Sequence, residues 1–298
     1  VCLLFGCNYQ KDVENNAILP PEAFFAINDW SAQRAYPHDY VDDKKFLNEF
    51  ILAKNMLQHA RLSSTSNSWE TMGPHNRGGR TLCIMTNPQN PNTVYAGSAS
   101  GGLWRSYNQG APYSWERIVT GYPVLGVNSI AISPIDSNTI IIGTGEVYSY
   151  QGSNIGISVR TNRGSFGIGI LKSTDGGNTW TKTLNWQYSE QHGVQIIKLN
   201  PLNENTVWAG TSVGTYKSID GGDNWSIVDS TFMVTDIEIN PLDTNQVLIA
   251  CGNLNSQGNG VYKTNDGGNT WQQVNGIPNP VAGKIQICNA PSDPNIVY

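Results

Sequence analysis

The 298-residue sequence is 39% hydrophobic and 14% charged, and its formal net charge is -5. The chain has no basic excess, which excludes nucleic acid as the expected partner, and it has no run of about 18 apolar residues that could span a membrane. The 31 glycines and 9 tryptophans favour an all-β protein rich in tight turns and aromatic packing.

The first seven residues, VCLLFGC, are apolar and end on Cys7. They resemble the end of a bacterial lipoprotein signal peptide, which implies lipidation of Cys7 and a membrane link only through that anchor. An ordinary cleaved signal peptide is the alternative. The next residues, NYQKDVE, resemble the export tag of some bacterial surface lipoproteins. Residues 1–19 are therefore expected to be a signal remnant and tether, and the protein to be extracellular or on the bacterial outer-membrane surface.

Residues 20–68 are predicted to form a helical segment and a linker. In DDKKFLNEFILAKNMLQHA the residues Phe46, Phe50, Ala53 and Leu57 recur with helical spacing, and acidic residues stand at the start of the stretch. The earlier stretch PPEAFFAINDWSAQRAYP has helical spacing too. RLSSTSNS, at 61–68, is polar and is predicted to be the linker.

Residues 69–298 are periodic. Trp180, Trp225 and Trp271 stand 45 and 46 residues apart. A proline turn between two β-rich runs also recurs, and its copies start at Asn87, Ser133, Asn200, Asn240 and Ala290. A unit of about 40–50 residues with four short strands predicts a β-propeller blade. We expect an all-β propeller with four blades and the start of a fifth here, in a fragment of a protein with about six to eight blades.

One phrase occurs three times, as STDGGNTW at 173–180, SIDGGDNW at 218–225 and TNDGGNTW at 264–271. We predict a turn between the third and fourth strands, in which the aspartate accepts hydrogen bonds from the turn backbone and glycine adopts positive φ. The stretch at 106–115 is a degenerate copy with Asn108 in place of aspartate. Calcium is disfavoured because the other carboxylates of a calcium loop are missing. The expected role is structural, through Ser173, Asp175, Gly177, Trp180, Ser218, Asp220, Gly222, Trp225, Asp266, Gly268 and Trp271.

The pattern Ser/Thr-x-Asp-x-Gly-x-x-Trp resembles the Asp-box, or bacterial neuraminidase (BNR) repeat. The resemblance covers residues 69–298 and implies an Asp-box propeller like those of sialidases, sortilin-type receptors and xyloglucan-cleaving glycoside hydrolases. It implies the fold, whereas function has to be argued from the site. The stretches MGPHNRGGR, GSASGGLWRS and GTGE also resemble the first blades of a group of secreted bacterial Asp-box proteins.

Ligand binding is expected on the face formed by the loops after the second and fourth strands. The 65 residues from Trp115 to Trp180 exceed the repeat by about 20, and we predict the excess to be a loop between strands two and three of that blade. Such a loop is either functional or a plain surface excursion. Arg80, expected near the channel mouth, either binds an anion or pairs with a carboxylate. The ligand-binding candidates have side chains suited to sugars or peptides, and they are Arg80, Glu146, Tyr148, Tyr150 and Arg160.

Catalysis would require two carboxylates about 5–10 Å apart across a sugar. Glu146 and Asp236 are the candidates. In the xyloglucan-cleaving family a catalytic aspartate precedes a Gly-Gly pair in the first blade, and here Ala99 stands at that position, which argues against that chemistry. Arg80 alone does not establish the arginine triad of sialidases.

The main interpretation is therefore a binding module for a glycan or a protein, without catalytic activity in this stretch. The alternative is a xyloglucanase-like or sialidase-like glycoside hydrolase with part of its active site elsewhere, and a third possibility is a sortilin-like receptor for a peptide. Neither a cofactor nor a metal is indicated by any motif. We expect Cys83, Cys251 and Cys288 to be buried free thiols.

Overall fold

The computed structural model describes residues 29, 32, 33, 35–38, 43–60, 79–122, 126–147, 167–189, 192–253, 256–277 and 284–298. The chain divides into two compact units, Val1–Gly73 and Pro74–Tyr298. The first unit contains helix α1 (Asp43–Ala60), which is the second of the two predicted helices. No described helix has the length and apolar character needed to cross a membrane.

The second unit is built of antiparallel sheets that follow one another along the chain. The first contains β1 (Thr81–Thr86), β2 (Val94–Ser98), β3 (Leu103–Ser106) and β4 (Trp115–Ile118). The second contains β5 (Val127–Ile132), β6 (Ile140–Thr144), β7 (Gly167–Ser173) and β8 (Thr181–Ser189). The third contains β9 (Val194–Leu199), β10 (Val207–Thr211), β11 (Gly214–Ser218) and β12 (Ser226–Asp229).

The fourth sheet contains β13 (Val234–Ile239), β14 (Val247–Cys251), β15 (Gly260–Thr264) and β16 (Gln272–Gln273). The fifth is a two-stranded sheet of β17 (Asn289–Ala290) and β18 (Asp293–Val297). The first strands β1, β5, β9 and β13 lie side by side, so the sheets radiate from a common centre as the blades of a β-propeller. This confirms the predicted fold of four complete blades and part of a fifth.

Hydrophobic side chains fill the spaces between neighbouring blades, because alternate residues of each strand point to opposite sides of its sheet. One cluster joins the first and second blades around Leu103, Val127 and Ile142. A second joins the second and third blades, and a third joins the third and fourth blades around Trp208. The blades are therefore held together by packed cores rather than by isolated polar contacts.

A glycine in the second strand of a blade lets the inner strand of the next blade pack closely against it. A β-carbon on Gly143 would lie 2.5 Å from Cγ1 of Val194, and one on Gly210 would lie 2.7 Å from Cγ1 of Val234. Contacts this short require the neighbouring inner strand to move. The first three blades have glycine at this position and need it for close packing against the next blade, whereas the fourth blade has Ala250 there.

We expect Gly143→Ala to lower the free energy of unfolding by about 1–3 kcal/mol, because the added methyl overpacks the second core. Urea denaturation of the full chain measures the change. Gly79→Ala is the matched control, since a β-carbon there meets no atom within 4 Å. Equal effects of the two substitutions would contradict the packing argument.

Candidate functional site

The repeated Asp-Gly-Gly phrases occupy the turns between the third and fourth strands of the second, third and fourth blades. In the first copy, the Asp175 carboxylate accepts hydrogen bonds from the Ser173 hydroxyl at 2.8 Å and from the Thr179 amide at 2.8 Å. The Gly177 amide donates to Ser173 Oγ at 2.9 Å, and the indole of Trp180 donates to the Gly177 carbonyl at 3.0 Å. The aspartate therefore closes its own turn.

The other copies repeat this geometry. Asp220 accepts from the amide of Asn224 at 2.9 Å, and Asp266 accepts from the amide of Thr270 at 2.9 Å. Glycine is required at the second glycine position, where φ is +92°, +90° and +96° at Gly177, Gly222 and Gly268. The copies differ at the tryptophan: Trp225 donates to Gly222, whereas the buried Trp271 nitrogen has no hydrogen-bond partner among the described residues.

Each turn also contacts the preceding blade. Arg105 of β3 donates to the carbonyl of Gly176 at 2.9 Å, and Lys217 of β11 donates to the carbonyl of Gly267 at 2.7 Å. Lys172 of β7 pairs with Asp223 at 2.7 Å. The amide of Gly176 donates to the carbonyl of Asn138 in the proline turn of its own blade at 3.0 Å, so these two kinds of turn share one face.

These turn hydrogen bonds predict acid sensitivity. Hydrogen bonds to the ionised carboxylate lower the pKa of Asp175 to about 2, and the pKa values of Asp220 and Asp266 are also lowered. A carboxyl whose pKa is lower in the folded state stabilises the fold above its unfolded pKa, and this contribution is lost as the pH falls through the folded value.

We therefore expect the unfolding free energy to decrease from about pH 4 towards pH 2. Asp220→Asn should weaken that pH dependence, because the amide does not titrate. Urea denaturation at several pH values measures it, and Asp293→Asn, outside the three turns, is the control. An unchanged pH dependence in the Asp220 variant would show that this turn does not contribute.

The opposite ends of the inner strands surround a central cavity of about 470 Å³. The register shifts near the start of the inner strands β1, β5, β9 and β13, which leaves one extra residue in each of these four. All four extra residues line the cavity, and they are Leu82, Asn128, Gln195 and Thr235. Cys83, Ile196, Asp236, Lys284 and Gln286 complete its wall. The bulges thus bring a polar side chain to the cavity wall from the second, third and fourth blades, and the apolar Leu82 from the first.

Gln195 joins three blades within this cavity. Its Oε1 accepts hydrogen bonds from Asn128 Nδ2 at 2.8 Å and from Lys284 Nζ at 3.4 Å. Its Nε2 donates to the carbonyl of Val147 at 2.8 Å. The part-enclosed position lowers the pKa of the Lys284 ammonium, and the nearby charge of Glu146 opposes that shift. The side-chain amides of Asn128 and Gln195 and the ammonium of Lys284 are therefore linked by hydrogen bonds along the cavity wall.

Asp236 is the only carboxylate among the described residues that line the cavity. Its two oxygens accept hydrogen bonds from the amides of Ile237 at 2.9 Å and Ile287 at 3.0 Å. Burial nevertheless raises its pKa, since loss of water around the charged form outweighs these bonds. The structure therefore combines a carboxyl that resists ionisation with groups that can hold hydroxyls.

Arg80 and Glu146 meet at the rim of the first and second blades. Arg80 Nη2 donates to Glu146 Oε2 at 2.6 Å, and Arg80 Nη1 contacts the other carboxylate oxygen. The Glu146 side chain is 3% exposed and the Arg80 side chain 43% exposed. Of the ligand-binding residues predicted from the sequence, these two are brought together, whereas Tyr148, Tyr150 and Arg160 lie outside the described residues, as does Cys7.

The predicted burial of all three later cysteines is wrong. Cys251 is buried, but Cys83 is only half-buried and Cys288 is exposed. Cys83 lies at the cavity wall, and Cys288 lies beside the short β17, where a two-stranded sheet provides less cover. In the parts of the chain that are described, no three His, Cys, Asp or Glu side chains converge as metal ligands.

No protein-family model matches the chain. A xyloglucanase of Acetivibrio thermocellus is 25% identical over 253 residues, which cover 73% of this chain and 28% of that enzyme. A xyloglucanase of Hypocrea jecorina is 25% identical over 261 residues, covering 74% and 29%. The chain thus spans less than a third of the length of these relatives.

Solved structures show the same fold. The crystal structure of an ancestral GH74 enzyme superposes with a TM-score of 0.50 at 24% identity, covering 66% of this chain and 26% of that one. The GH74 xyloglucanase from Xanthomonas campestris has a TM-score of 0.50 at 16% identity, covering 68% and 31%. At these identities the structures support the propeller fold alone.

Proposed function

We propose that this chain is the polysaccharide-binding part of a glycoside-hydrolase-like propeller and that the sugar binds over the central cavity. The observation that carries the proposal is that one cavity is lined both by Asp236, a carboxyl of raised pKa, and by the side-chain amides of Asn128, Gln195 and Gln286. The xyloglucanase relatives favour a glycoside hydrolase over the binding module preferred from the sequence, and they suggest a xyloglucan-type substrate.

Asp236 suits the role of general acid. Glycoside cleavage needs one carboxyl that stays protonated until it donates to the leaving oxygen, and a raised pKa favours that form. Glu146 suits the role less well, because the charged guanidinium of Arg80 contacts both of its oxygens, whereas those of Asp236 accept hydrogen bonds from neutral backbone amides. We assign Glu146 to positioning Arg80 at the rim. The second carboxylate that the reaction requires must come from outside the described cavity wall.

A non-catalytic glycan-binding propeller is the second candidate. Ala99 favours it, since this residue replaces the aspartate expected in a xyloglucan-cleaving first blade. Ala99 is buried, and its amide donates to the carbonyl of Arg80 at 2.9 Å. A first-blade carboxylate of the kind used by that family is thus missing at this position.

One pair of assays separates these functions. The full chain is incubated with soluble xyloglucan and new reducing ends are counted, while affinity electrophoresis in the same polymer measures binding. Release of reducing ends supports the hydrolase, and retardation without release supports the binding module. Neither release nor retardation would contradict both.

We further propose that residues 69–298 form an Asp-box propeller, that 20–68 are a separate helical segment and that 1–19 are a tether lipidated at Cys7. The turn geometry of Asp175, Asp220 and Asp266 supports the first of these proposals. An extracellular or surface location suits a polysaccharide substrate. Labelling with radioactive palmitate tests the anchor, and Cys7→Ser should abolish it.

A further inference from the structure

A second cavity lies on the opposite face of the propeller, where the Asp-Gly-Gly turn of the second blade meets the first blade. Its volume is about 320 Å³, within the range of small-ligand sites. Asn90, Tyr95, Arg105, Tyr107, Asn138 and Asn178 are among its wall residues. We call it the first-blade cleft. Its wall combines turn residues with Tyr95 of β2 and Arg105 of β3, and it shares no wall residue with the central cavity.

The other blade junctions carry different side chains at the equivalent places. Between the second and third blades, Lys172 pairs with Asp223 across the junction. Between the third and fourth blades, Lys217 lies 5.0 Å above the ring of Trp208. At the first junction Asn178 occupies the sequence position of Asp223, so this turn supplies no carboxylate there, and Asn269 is the equivalent residue at the third junction. The first-blade cleft therefore differs from the second junction in lacking that carboxylate, and from the third in having the cross-strand pair Tyr95 and Arg105 where the third has Trp208 and Lys217.

An exposed tyrosine stands at this cleft. Tyr107 is 58% exposed, and the Arg105 guanidinium lies 4.5 Å from its ring centroid. The corresponding residues of the three following blades are Thr174, Ile219 and Asn265, which offer no aromatic surface. Arg105 is held by Glu116 through Nε at 3.0 Å and Nη2 at 2.7 Å. The tyrosine ring is thus supported from one side by a fixed guanidinium.

The charge of the cleft argues for a neutral ligand. The Arg105 charge is balanced by Glu116, and the Asp175 carboxylate adds a negative charge that is already bound by Ser173 and Thr179. The remaining wall groups are mostly amides and hydroxyls. A pyranose ring presents hydroxyls at its edge and C–H groups on its face, which complement amides and an aromatic ring respectively.

We propose that the first-blade cleft binds one neutral pyranose unit of a polysaccharide, with Tyr107 stacking against the sugar face. The site is separate from the central cavity, so it would hold a long polymer at a second point. Two linked contacts strengthen the apparent affinity of a polymer without changing the contacts of a short oligosaccharide at the central cavity.

Affinity electrophoresis of the full chain in soluble xyloglucan tests the proposal. Tyr107→Ala should raise the apparent dissociation constant about tenfold, whereas Tyr107→Phe, which keeps the ring, should bind like the wild type. Tyr113→Ala is the matched control, because Tyr113 belongs to the same blade, is 93% exposed and is not among the wall residues of the cleft. Melting temperatures of all variants verify that each one folds.

The results separate this site from the proposed function. If the wild type hydrolyses xyloglucan and Tyr107→Ala binds the polymer as tightly as the wild type does, the sugar site in the first-blade cleft is ruled out while the hydrolase proposal is retained. If the wild type is retarded more than Tyr107→Ala but releases no reducing ends, the result supports the sugar site in the first-blade cleft and contradicts the hydrolase proposal. Loss of binding in Tyr107→Phe or in the Tyr113 control would overturn the stacking role, and so would failure of the wild type to be retarded.

Discussion

Replacing Asp236 by asparagine is expected to lower the release of reducing ends from xyloglucan by about 10³-fold. An amide cannot donate a carboxyl proton to the leaving oxygen, although it has nearly the same shape. Asp236 is the cavity carboxyl with the raised pKa, so its protonated form persists to higher pH than that of an ordinary aspartate. Wild-type hydrolysis should accordingly decrease as the pH rises through this raised pKa.

Glu238→Gln is the matched control for this substitution. Glu238 lies two residues along the same strand β13 and pairs with Lys198 at 3.2 Å, and it is not among the cavity-wall residues. The charge of Glu238 adds to the raised pKa of Asp236, so its replacement should shift the pH dependence of hydrolysis to lower pH but leave the maximal rate within about twofold. Binding of the polymer and the melting temperature are measured for both variants, so that loss of folding is not mistaken for loss of chemistry. An Asp236→Asn enzyme with wild-type activity would rule out the general-acid role.

Arg80→Ala is expected to lower the free energy of unfolding by about 3 kcal/mol, the largest stability effect we predict. The substitution leaves the carboxylate of Glu146 buried, at 3% exposure, without the guanidinium that contacts both of its oxygens. A buried charge that loses its direct partner costs several kcal/mol, and the nearby ammonium of Lys284 offsets only part of that cost. Urea denaturation at neutral pH measures the loss.

The double variant Arg80→Ala/Glu146→Gln should recover part of that loss, because the glutamine carries no charge. Arg117→Ala is the control arginine, which is exposed on β4 and should change stability by less than about 0.5 kcal/mol. Additive effects of the two single substitutions in the double variant would contradict a direct Arg80–Glu146 interaction.

The repeat carried enough information to predict the fold. Tryptophans 45 and 46 residues apart and the recurring proline turn predicted four-stranded blades, and the Asp-Gly-Gly phrase predicted the turn before the fourth strand. These are local features: Asp220 and Asn224, which hydrogen-bond within one turn, are only 4 residues apart in sequence. Local hydrogen bonds of this kind leave a clear pattern in the chain.

The central cavity was harder to predict because its residues are distant in sequence. Asn128 and Gln195 are 67 residues apart, and Gln195 and Lys284 are 89 apart. Asp236 was identified from the sequence, but its place in the cavity wall depends on the β-bulge at the preceding residue, Thr235. A usable signal was present, since VNSIAI, VQIIKL and VTDIEI each place a polar residue second in the inner strand.

The crystal structure of the Asp236→Asn variant soaked with a xyloglucan heptasaccharide tests the central claim most directly. We predict sugar density over the central cavity, with ring hydroxyls within hydrogen-bond distance of Asn128, Gln195 or Lys284. An empty central cavity, in crystals soaked at a concentration that saturates binding in solution, would contradict the assignment of this cavity as the polysaccharide site.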